Sequence, residues 1–196
     1  MASISLKYKS KSGNLTAPGD VDPGAMIPLA TVLVGSGGSS YVEFTGISNN
    51  YEHLQIRGIT NASAGGGSVI TMRVGNGSVD SGTNYSWHQI YGYGTAVDVS
   101  GNANTSNVGL IISESSVTTS FSGFISDILD YSNTSKYKTI RTLTGIDTNN
   151  TSGVIALRSG SWRSTSVIDT IRIIPPSGVL IQNSHFALYG IKRAGA

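Results

Sequence analysis

Along most of this chain apolar residues fall on every second position, in short runs bounded by Gly, Ser, Asn and Pro. In residues 52–60, Leu54 and Ile56 alternate with His53, Gln55 and Arg57, the pattern of a half-buried strand. Ile70, Met72 and Val74 repeat the pattern in residues 69–74, and Gly75-Asn76-Gly77 marks a tight turn after them. The same reasoning predicts strands over residues 27–34, 41–45, 84–91, 108–112, 119–131, 136–143, 154–158, 167–174 and 185–191. Residues 92–107 read as a polar loop, and Pro175-Pro176-Ser177-Gly178 as a break before the last strand. No stretch carries an apolar stripe at helical spacing. So many short strands with polar connections predict an all-β fold, two packed antiparallel sheets forming a β-sandwich. A jelly roll is the first expectation and an immunoglobulin-like sandwich the second. Strand order is not legible from this pattern.

Composition sharpens that picture. Ser, Thr, Asn and Gly supply 86 of the 196 residues, while charged residues are 12% against a usual ~25%. A net charge of +2 with 38% hydrophobic residues argues for one folded domain rather than disorder. Lys and Arg are scattered, so the concentrated basic face that nucleic acid needs is missing, and no nucleic-acid partner is expected. There is no cysteine, which removes disulfides and thiolate metal sites. No apolar run approaches the ~20 residues that span a bilayer, and the first residues lack a signal-like apolar region. The expectation is a soluble protein, made in a cytoplasm, with no membrane partner.

Residues 1–25 differ from the rest. Lys7, Lys9 and Lys11 fall on one side of any extended strand, and two Pro-containing turn signals follow over residues 17–24. With few apolar side chains to anchor it, this segment reads either as an extended arm, ordered only against a partner, or as a frayed terminus with no role, attached to a single domain over residues 26–196. Exposed lysine pairs contribute only about 0–1 kcal/mol each. Firm docking of the arm would therefore need backbone pairing, or Tyr8, Leu15 and Val21 entering pockets on a partner.

Candidate chemistry is sparse. The three histidines, His53, His88 and His185, stand apart, and no nucleophile elbow, zinc helix or phosphate loop is present. Asp127 and Asp130, three residues apart, fall on opposite faces of a regular strand and do not suggest a glycosidase pair. Asp20-Val21-Asp22 lacks the further ligands that calcium requires. No catalytic residue, cofactor or metal is therefore assigned. The one notable constellation is aromatic: Tyr85, Trp87 and Tyr91 share one face of a strand. Such rings stack on sugars or on a protein partner, and they equally fill a sandwich core or a subunit interface.

Two sets of residues carry a family likeness. The opening, from Lys7-Tyr8-Lys9-Ser10-Lys11 through Asp20-Val21-Asp22-Pro23-Gly24 to Met26-Ile27-Pro28, resembles small virion structural proteins of tailed bacteriophages, marine and cyanobacterial ones above all. The body resembles the same group at Tyr51-Glu52-His53-Leu54-Gln55-Ile56-Arg57, at Asn84-Tyr85-Ser86-Trp87-His88-Gln89 and at Phe186-Ala187-Leu188-Tyr189-Gly190-Ile191-Lys192. The resemblance implies a homotrimeric β-sandwich on the virion surface, not an enzyme. It also implies an arm that docks on the major capsid protein or another virion protein, as in a capsid decoration protein or head fibre. A tail-fibre module that binds host-surface glycan is the alternative.

Overall fold

The computed structural model describes residues 25–64, 69–112, 119–149 and 153–193, and no helix occurs among them. In chain order the strands are β1 (Met26–Leu33), β2 (Val42–Phe44), β3 (His53–Thr60), β4 (Ala62–Ala64) and β5 (Val69–Asn76). Next come β6 (Ser78–Val79), β7 (Tyr85–Tyr93), β8 (Ala96–Thr105), β9 (Val108–Ile112) and β10 (Ser122–Leu129). The chain closes with β11 (Lys138–Ile146), β12 (Val154–Trp162), β13 (Thr170–Ile174), β14 (Ser177–Leu180) and β15 (His185–Ile191).

These strands build an antiparallel sandwich of two unequal sheets. The larger has eight strands in the order β1-β15-β3-β10-β11-β12-β7-β8. The smaller has five, β2-β13-β5-β6 with β9 also on β5, and β14 pairs β4 apart from both. The all-β, antiparallel fold class is as the alternation predicts. An eight-and-five split built around the β10-β11-β12 meander does not by itself make the sandwich a jelly roll.

Burial follows the alternation. On the large sheet Leu54, Ile56, Ile128, Ile140 and Trp162 face inward, and on the small sheet Phe44, Ile70, Met72, Val74, Ile171 and Ile173 do so. Each such side chain contributes roughly 1.5–3 kcal/mol of transfer free energy. Ser126 Oγ and Thr142 Oγ1 pair inside the layer at 2.8 Å, whereas Thr144 Oγ1 is buried without a hydrogen-bond partner. Lys138 is fully buried, and its ammonium donates to the carbonyls of Asn133, Lys136 and Thr165. Burial pulls its pKa down, yet three carbonyls saturate its three donors.

Two features depart from the sequence expectation, and one expectation falls outside the described residues. Residues 92–107 contain strand β8, paired with β7 from Tyr93 opposite Ala96 to Tyr85 opposite Thr105. Gly94, at φ 54, opens the two-residue turn that joins them. β8 escaped notice because almost every residue in it is exposed, so burial imposes no alternation on it. Ser177–Leu180, read as part of a break, forms the short strand β14. The attachment arm, with Lys7, Tyr8, Lys9, Lys11, Leu15 and Val21, lies outside the described residues.

Candidate functional site

The two outer faces of the sandwich are unlike each other. On the small sheet the outward positions are Glu43, Thr71, Arg73 and Arg172, as expected of a solvated face. Arg172 Nε donates to Glu43 Oε1 at 2.7 Å and its guanidinium lies 4.5 Å from the centroid of the Tyr41 ring. Arg73 Nε donates to Ser106 O at 3.0 Å.

The outer face of the large sheet carries an aliphatic band instead. Ile125, Leu143, Leu157, Ile90 and Val99 stand directly opposite one another across β10, β11, β12, β7 and β8. One pleat further along, the row runs Ile59, Gly123, Gly145, Ile155, Gly92 and Val97. Ile125 is half-buried, and the other aliphatic side chains of the band run from 48% exposed at Ile59 and Leu157 to 73% at Val97. Where Gly123 faces Gly145 the band sinks into an open hollow of about 330 Å³, walled by Ile125, Leu143 and Ile155. The next row in the other direction is polar: Gln55, Asp127, Arg141, Ser159 and His88. In it Asp127 accepts from Arg141 Nη2 at 3.0 Å and from Gln55 Nε2 at 2.7 Å, so its charge is answered within the chain. An apolar centre beside a polar margin is the anatomy of a protein interface.

The predicted aromatic face of β7 points inward. Tyr85 is fully buried; its hydroxyl accepts from Val74 N at 3.1 Å and lies 2.9 Å from Val74 O and 3.0 Å from Asp80 O. Burial pushes that hydroxyl well above the usual tyrosine range. Tyr85 therefore presents no ring to a glycan or partner, and of the readings left open by the sequence it takes the core one. Trp87 and Tyr91 are half-buried where the β7–β8 edge overhangs the small sheet. The guanidinium of Arg158 lies 5.9 Å from the centroid of the Trp87 ring, and Tyr91 packs against Ile146 and Ala156. Arg158 is itself buried, and desolvation lowers its pKa to about 10, with Tyr91 partly offsetting. Tyr91 donates its hydroxyl to Asp98 Oδ2 at 3.0 Å.

A polar cleft of about 610 Å³ opens at the end of the sandwich where Tyr51, Glu52, Asp130, Ser132, Lys192 and Arg193 meet. Glu52, His53 and Asp130 bring one potential metal-ligand atom each within 4.8 Å of the others. Their partners are already supplied. The Asp130 carboxylate is paired with the Lys136 ammonium, and Glu52 Oε1 lies 3.5 Å from Arg193 Nε. His53 Nδ1 accepts the backbone N–H of Asp130 at 2.9 Å. With that nitrogen accepting, its 3.4 Å approach to Asp130 Oδ1 is not an ion pair. The Lys136 hydrogen bond holds the Asp130 carboxyl below its ordinary value, with partial burial opposing. A cation entering here would have to displace both Lys136 and Arg193, so the cluster fits a charge-neutralised strand end better than a metal centre.

Sequence reasoning missed both the aliphatic band and this cluster. The cluster joins residues far apart in the chain and leaves no local signal. The band did leave one: residues 154–158 are apolar at both parities up to Arg158, which a strand with one solvated face does not need. No family model matches the chain, and neither a curated protein nor a solved structure matches it.

Proposed function

We propose that this chain is a structural protein of a bacteriophage particle surface, a capsid decoration or cement protein or head fibre that docks on the major capsid protein. The observation that carries an assembly role is the aliphatic outer face of the eight-stranded sheet, left uncovered among the described residues. A face of this kind fits adhesion to other proteins. The resemblance of residues 7–28 and of the three body segments to virion proteins supplies the particle. Charge in the polar cleft is spent on internal pairs, with Asp130 held by Lys136 and Glu52 by Arg193, which supports a non-catalytic role.

Deleting residues 1–25 and measuring recruitment to particles tests the reading. Loss of recruitment with the sandwich intact is the expected result, and undiminished recruitment overturns the arm as the attachment device. The alternative, a tail-fibre module that binds host-surface glycan, keeps only the half-buried Trp87 and Tyr91 of its three rings. Binding on a glycan array that Trp87→Ala abolishes would favour it over the decoration role.

A further inference from the structure

We infer that the aliphatic band is the contact between two copies of this chain, packed face to face about a two-fold axis that lies in the contact plane and runs along the strands. The inference rests on the assembly role above for its purpose, and on the geometry of the large sheet for its physics.

Exposure is the first argument. Seven of its aliphatic side chains are 48–73% exposed on one contiguous face, and a contiguous exposed apolar patch of that kind marks a site of interaction. Monomeric antiparallel sheets turn polar residues to solvent, as the small sheet of this chain does and the band of the large sheet does not.

Shape is the second argument, and it selects the occupant. Its row from Ile125 to Val99 spans five strands, roughly 19 Å at ~4.8 Å per strand. At its β8 end Val97 and Val99 are its most exposed residues, on an overhanging edge strand. At its β10–β11 end lies the hollow left by Gly123 and Gly145. The same face thus carries projections at one end and a recess at the other. A two-fold rotation about an axis along the strands brings the β8 end of one copy over the β10–β11 end of its partner. Each copy then fills the partner's recess, which is the reciprocal pairing an isologous contact requires.

Charge is the third. The flanking Asp127 is neutralised by Arg141 of its own chain, so two copies meet without stacking an unanswered carboxylate on another.

Sedimentation of the purified full chain between about 1 and 100 µM is the test, read as a dissociation constant. The wild type is expected to form a two-copy species in that range. Gly123→Leu is the decisive variant, because a Cβ at Gly123 meets nothing within 4 Å in the folded chain, while the longer side chain fills the recess. It should weaken association at least about 30-fold, the loss of one hot-spot contact. Val97→Asp with Val99→Asp, placed on the exposed edge where folding does not depend on them, should do the same. Unchanged far-ultraviolet circular dichroism certifies that each variant is folded. A monomeric wild type at 100 µM overturns the inference, as does association of the folded variants at wild-type strength. A three-copy species, the stoichiometry the resemblance implies, overturns it too. Particle recruitment is a separate readout, so either proposal can fail while the other stands.

Discussion

Several single side chains hold more of this structure than their size suggests. The Tyr85 hydroxyl satisfies the backbone of Val74 from across the sandwich. Tyr85→Phe leaves Val74 N–H buried without that partner and should cost about 1–3 kcal/mol in urea unfolding. Gly58 is stricter still. A Cβ there would lie 2.0 Å from the carbonyl oxygen of His185, a backbone atom that cannot yield without shifting β15. Gly58→Ala should destabilise by more than about 3 kcal/mol, or prevent folding, as judged by circular dichroism and thermal melting. Two carboxylates set the acid limit. Burial alone would raise Asp80, but hydrogen bonds from Trp162, Asn84 and Gly82 outweigh it, and Lys136 lowers Asp130. Both are thus below their unfolded values, so the unfolded chain binds more protons in that window and stability rises with pH there. The contribution is complete above about pH 4–5 and is lost as pH falls through the folded values. Urea midpoints should drop on acidification below about pH 4, and drop less steeply in Asp80→Asn with Asp130→Asn.

At the scale of elements, legibility tracked burial. β3, β5, β10 and β11 each place alternate residues against the core, and their sequences alternate for that reason. β8 has no buried face, so its Asp98, Ser100 and Asn102 read as loop although pairing with β7 holds it extended. The aromatic set on β7 was correctly given one face. Which way that face points depends on the neighbouring strands, and that information lies outside residues 84–91. β11 offers a direct check, since Ile140 is buried and Leu143, on the opposite face, is 49% exposed. Ile140→Ala should cost about 2–5 kcal/mol, whereas Leu143→Ala should stay within about 0.5 kcal/mol in dilute protein. Equal costs would mean that the outer face is covered within the chain itself.

For the whole molecule, the sequence carried the fold class because alternation and turn residues are local properties. It did not carry the candidate surface, because Ile125, Leu143, Leu157, Ile90 and Val99 become a band only through the register of five strands. The same holds for the cleft, where the residues before β3, the turn after β10 and the residues beyond β15 converge. On the proposed reading, a sandwich with one polar outer face and an aliphatic band on the other is an assembly unit. Carbene footprinting of the full chain below and above its self-association midpoint tests that most directly. Leu143, Leu157, Ile90 and Val99 should lose labelling as copies associate, while Thr71 and Arg73 on the small sheet keep theirs. Equal labelling of the band at both concentrations would contradict the account.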